Sequence, residues 1–246
     1  MVFGLVAAAF LVSTGDDPLD SALVRTEPPP SLRAAFTVEL TDGEAFREIR
    51  FDPRDPEDEA WQVVEATGQS RELDFAVEEW GAEDDPDGWL FADDLRASLG
   101  NIVDAIDAGA AWQIQFQHQL SGNDGPLDAW AAEHLAGSAW LEPVNAQFLR
   151  IDYSAMEPFS GPNGGRIEAY NHTYLLQQDP EYDITFVAAY KVDVRGQFLN
   201  TSLDRAYRVR VTDVDFFFSS AAEEALYWSR RRALEKQHSA VFVSAN

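Results

Sequence analysis

Residues Tyr182 to Val194 alternate without a break: Tyr182, Ile184, Phe186, Ala188, Tyr190, Val192 and Val194 share one phase. Period two is the mark of a strand with one face against a core. At ~3.3 Å per residue the stretch would span about 43 Å, whereas ordinary strands hold roughly five or six residues. A chain committed to so long a strand folds as a large, curved antiparallel sheet. The apolar concave face of that sheet then needs a cover.

Other segments repeat the pattern. Ala34, Phe36, Val38 and Leu40 share a phase ahead of a Thr41-Asp42-Gly43 turn. Phe46–Phe51 and Trp61–Ala66 read as two further strands, divided by Asp52-Pro53 and Asp55-Pro56. Trp112, Ile114, Phe116, His118 and Leu120 alternate with four glutamines, which predicts one apolar face and one amide face turned to water. Tyr207, Val209 and Val211 give way to Val214, Phe216 and Phe218, a slip near Thr212-Asp213 that a bulge would produce. A tight turn is expected over Gly161-Pro162-Asn163-Gly164-Gly165.

Helical spacing supplies the cover. Leu95, Leu99, Ile102, Val103 and Ile106 predict a helix over 92–108, and Leu127, Trp130, Ala131, His134 and Leu135 a shorter one. A terminal helix is expected from Ala221 to His238, with Arg230, Arg231, Arg232 and Lys236 near the negative end of its dipole. The fold class is therefore α+β: a long-stranded antiparallel open (half) β-barrel with a helical lid and a C-terminal helix.

Ahead of the strands, Val2–Val12 is an apolar or small run, with Ser13 and Gly15 at the spacing of a cleavage site. Eleven residues are too few to cross a bilayer core of about 30 Å as a helix, so 1–15 reads as a signal-peptide-like segment and the protein as periplasmic. Residues 16–31, with Pro18 and Pro28-Pro29-Pro30, read as a Pro-containing linker. Residues 32–246 read as a single β-rich domain.

Charge narrows the partners. The chain is acidic, with a formal net charge of −25, which repels nucleic acid and anionic membrane surfaces. Glu72 to Asp107 holds twelve acids against Arg96 alone, whereas 195–246 carries a net +2. With no cysteine, disulfides, thiolate catalysis and Cys-based metal sites are excluded. No integral membrane span is expected.

Motifs for chemistry are sparse. Glu83 to Asp94 fits much of a calcium-binding EF-hand loop, with acids at positions 1, 3, 5 and 12 and Gly88 at position 6. Its first acid is Glu, position 4 is Pro86 and position 12 is Asp94 rather than a bidentate Glu. It reads instead as an acidic turn whose Asp93 and Asp94 favour the start of the helix near Ala92. The four histidines lack metal-ligand spacing, and His118 and His134 read as packed residues. No Gly-x-Ser-x-Gly elbow is present. No catalytic residue, metal or cofactor is assigned, and the protein is expected not to be an enzyme.

From Leu32 to Ser219, the export-like start, strand length and order of strands and helices resemble the lipoprotein-carrier superfamily (LolA/LolB-like proteins). That family carries an apolar-x-Arg-Pro stretch on an early strand. Here Ile49-Arg50-Phe51-Asp52-Pro53-Arg54 has Asp52 before the proline, so no ligand-handling residue is transferred. The resemblance implies carriage of a lipid-like or lipoprotein acyl ligand. Its cavity would be lined by Trp112, Ile114, Phe116, Tyr182, Ile184, Phe186, Tyr190 and Val192. The partners would be an apolar small molecule or lipid moiety and an envelope protein. The competing reading is an envelope structural or interaction module whose sheet is filled by its own side chains.

Overall fold

The structure is a computed structural model and describes residues 17–92, 94–100, 102–119, 132–160, 165–198 and 201–244. The signal-like segment, Leu120, the predicted helical residues Leu127, Trp130 and Ala131, and most of the turn at Gly161 lie outside them.

Eleven strands form one antiparallel sheet. β1 (Leu32–Thr41), β2 (Phe46–Phe51) and β3 (Trp61–Thr67) lie toward one edge. β4 (Ile102–Asp107), β5 (Trp112–Gln117), β6 (Leu135–Glu142) and β7 (Gln147–Ala155) lie toward the other. Between them run the long strands β9 (Arg166–Asp179), β10 (Ile184–Phe198) and β11 (Thr201–Phe218), of 14, 15 and 18 residues. A short β8 (Phe159–Ser160) pairs with β9. The order is β3-β2-β1-β11-β10-β9-β7-β6-β5-β4, and the two end strands do not pair, so the half-barrel stays open.

Among the described residues four α-helices accompany the sheet. α1 (Pro18–Thr26) lies within the stretch expected to be a linker. Asp17 caps it, Pro18 opens it, and Ala22 and Leu23 are buried against the sheet. Arg25 pins it by donating to the carbonyls of Asn145 and Ala146 and pairing with Asp183 at 3.1 Å. α2 (Arg71–Gly81) and α3 (Leu95–Leu99) flank a 3₁₀ turn at Gly88–Leu90. α4 (Ala221–Ser244) starts against the sheet through Tyr227 and Trp228, which contact Tyr182.

The helix expected over 92–108 is corrected. α3 ends after five residues because Gly100 takes φ +43°, a left-handed backbone that glycine tolerates best. A Cβ there would also meet Gln119 Cγ at 1.8 Å. Beyond it the β-branched residues Ile102, Val103 and Ile106 enter β4, which pairs with β5. Leu135, assigned to the shorter helix, opens β6.

Register shifts occur in several strand pairs, and two of them bear on the long strands' alternation. Thr37 pairs with Asp213 and Val38 with Val211, leaving Thr212 extra where the slip was expected. Val187 pairs with Leu176 and Ala189 with Leu175, leaving Ala188 extra within the stretch that reads as unbroken. Ile184 to Val187 pair with β9 and not with β11, and Phe91 fills in with a single bridge to Phe186.

The core divides with the bulge. One cluster unites Phe36, Val38, Leu40, Ile49, Ile184 and Phe186 beneath α2. The second unites Leu23, Leu99, Ile114, Phe116, Phe148 and Val187 beneath α1 and α3.

Candidate functional site

Lateral register builds the floor of a cleft. One row crosses seven strands: Ile114, Ala139, Ile151, Tyr174, Tyr190, Val209 and Leu40. The next row holds Phe116, Gly137, Tyr153, His172, Val192 and Tyr207. Neighbours in such a row share a face of the sheet. The first row is filled at both ends by small or aliphatic core residues and carries two tyrosines at its centre. The second places its aromatics over the middle strands.

The lid is fixed by local chemistry. Ser70 caps α2 by accepting from the Leu73 amide, and Leu73 and Val77 bury its inner face. Trp80 stacks on Phe36 at 5.5 Å, meets Trp89 edge-on at 4.4 Å and donates its indole N–H to the Pro86 carbonyl. Asp87, 1% exposed, receives a forked pair of hydrogen bonds from Arg33 at 2.7 and 2.8 Å and a third from the Ala34 amide. That carboxylate, position 5 of the calcium-like motif, is thus committed to β1. At the other end of α2, Arg205 pairs with Glu79 at 3.8 Å and lies over the Phe75 ring.

Between lid and floor lies a cleft of about 720 Å³. The lid contributes Ala76, Trp80, Trp89, Phe91 and Leu95; the sheet contributes Ile151, Tyr153, Tyr174, Tyr190, Val192 and Tyr207. Tyr170, His118 and His172 line it toward one end. The Trp89 indole N–H is buried with no hydrogen-bond partner among the described residues. A shallower groove of about 460 Å³ lies on the outer side of α2, against Trp61 and Val63. It lacks the enclosure that the concave sheet provides.

Among the eight residues singled out from sequence, Tyr190 and Val192 line the cleft. Ile114 and Phe116 are buried in the second cluster, and Trp112 packs against it. Ile184 and Phe186 are buried in the first cluster, and Tyr182 packs against Phe218, Tyr227 and Trp228. The structure thus does not gather the eight around one space. Sequence reasoning missed the Tyr170-x-His172-x-Tyr174 alternation on β9, a legible period-two signal, and the lid tryptophans, which no periodicity marks.

Among the described residues the lining carries no lysine or arginine. Burial, reinforced by the Arg205 charge, pushes the His172 imidazole down to about 4, so the ring is neutral at pH 7. Burial likewise raises the Tyr190 and Tyr207 hydroxyls. Glu79, Glu83, Asp85 and Asp94 lie along the lid side. Among the described residues no group of three or more His, Asp or Glu is placed to hold a metal.

Fold and cleft together define an open, helix-lidded antiparallel half-barrel with an aromatic-lined cleft beneath its lid. No protein-family model and no curated protein matches the chain. Among solved structures it has a weak fold-level resemblance to an outer membrane lipoprotein-sorting protein domain from Vibrio parahaemolyticus. The two share 9% identity over 82% of this chain and 93% of that one, with a TM-score of 0.37.

Proposed function

We propose that this protein is a periplasmic, non-enzymatic carrier or binding protein for a lipid-like ligand, which it holds between the sheet and α2. The observation that carries this reading is the cleft: about 720 Å³ of space over the concave face, within the range of small-molecule sites. A sheet filled by its own side chains would close it. Apolar and aromatic walls favour a greasy body, and a lid held largely by rings and ion pairs supplies a part able to move aside. No described helix is long and apolar enough to cross a membrane.

The test is a titration with the neutral fluorescent probe N-phenyl-1-naphthylamine, read by probe emission and by quenching of Trp80 and Trp89. One saturable site per chain, displaced by decanol, is the expected result. Absence of saturable binding, with the fold intact by circular dichroism, overturns the reading.

A further inference from the structure

We propose that the cleft selects lipophilic cations: amphiphiles with an ammonium head and an apolar body. This deepens the carrier reading and rests on it.

The rings are the first observation. Tyr190 sits at the centre of a set of aromatic neighbours, with ring centroids 5.4 Å from Trp89, 5.9 Å from Tyr174 and 6.2 Å from Tyr207. Tyr153 extends the set from Tyr174 at 6.1 Å, and Trp80 extends it from Trp89 at 4.4 Å. All six rings line the cleft. An ammonium is attracted to a ring face within about 6 Å of its centroid, most strongly for tryptophan and where water is excluded. Aliphatic side chains would serve an alkyl body equally well, so this density of rings answers a need beyond greasiness.

The second observation is the sign of the charge. Among the described residues the lining has four carboxylates and no lysine or arginine, and His172 is neutral at pH 7. Glu79 is partly offset by Arg205 and Asp85 by Arg33. Those arginines are thereby engaged: Arg33 is forked onto Asp87, and Arg205 also covers Phe75. A fatty-acid carboxylate entering the cleft would find no lysine or arginine among the described lining residues to receive it, and a desolvated, unpaired carboxylate is costly. A quaternary ammonium needs no hydrogen-bond acceptor and meets rings and negative potential together.

The experiment compares three ligands of one chain length below their micelle concentrations by calorimetry: decyltrimethylammonium, decanol and decanoate. The cation is expected to bind one to one and at least about ten-fold more tightly than decanoate, with decanol between them, as cation–π attraction in a desolvated site implies. Replacing Tyr190→Leu should bring the cation close to decanol, whereas Tyr190→Phe, which keeps the ring, should retain the preference. Should Tyr190→Leu fail to fold, Tyr207→Leu makes the same comparison. Decanoate binding as tightly as the cation, or a cation preference untouched by loss of the ring, overturns the proposal. In either case saturable decanol binding leaves the carrier reading standing; if decanol and the neutral probe both fail to bind, the carrier reading itself falls.

Discussion

At the scale of single residues, two carboxylates hold arginines at points where distant parts of the chain meet. Asp87 is buried and accepts from Arg33 and the Ala34 amide, so its removal strands a guanidinium and a backbone donor. Asp87→Ala is expected to cost about 2–4 kcal/mol in urea unfolding, below the full penalty for a wholly buried pair because Arg33 keeps contact with water. Calcium should neither bind stoichiometrically at Glu83–Asp94 nor stabilise the parent, which calorimetry and thermal melts can check. Asp52 accepts from Arg54 and Arg50, while Arg54 reaches Asp215 and covers the Phe217 ring, tying the β2–β3 turn to the end of β11. The Arg54 hydrogen bonds hold the Asp52 carboxyl below its ordinary 3.8. A depressed carboxyl stabilises the fold above its unfolded value and loses that contribution as pH falls through its folded one. Asp52→Asn should therefore flatten the fall in stability below about pH 4 relative to the parent, as measured by unfolding across an acid series.

At the scale of elements, backbone exceptions decide where the sheet bends and where helices stop. Gly137 on β6 lies opposite Phe116, whose ring would stand 2.2 Å from a Cβ at that position. Gly137→Ala is expected to displace the ring and cost about 1–3 kcal/mol by overpacking, visible as a lower melting temperature. Strand identity was legible from alternation: β1, β2, β3, β5 and the long pair β10–β11 all stand where period two placed them. The Thr212 bulge was legible too, because it shifts a visible apolar phase. The bulge at Ala188 was not, since Val187 is apolar in the opposite phase and hides the slip; its effect is to bring Val187, rather than Phe186, to the cleft beside Tyr190 and Val192. The helix expected over 92–108 failed on the same kind of ambiguity. Ile102, Val103 and Ile106 fit a helical face, but Gly100 and β-branching favour a strand.

At the scale of the molecule, an open sheet and a lid leave a cleft whose lining could not be read from any one segment. Tyr190 and Val192 were within reach of sequence because they lie on the longest alternating run. Tyr153, Tyr174 and Tyr207 join them only through lateral register across four strands, and Trp80 and Trp89 only through the fold-back of the lid. His172 offers a probe of its burial beneath the lid: its imidazole signals should titrate near pH 4 rather than 6.5 in NMR.

The central claim is that the space above the second row is a ligand site rather than packed core, and filling it separates the two. Val192 lines the cleft between His172 and Tyr207 in lateral register. Val192→Trp should abolish saturable N-phenyl-1-naphthylamine binding while changing unfolding free energy by less than about 1 kcal/mol, because an open cleft accommodates the added ring. A loss of about 1–3 kcal/mol, as overpacking of a filled core produces, together with no probe binding by the parent, would contradict it.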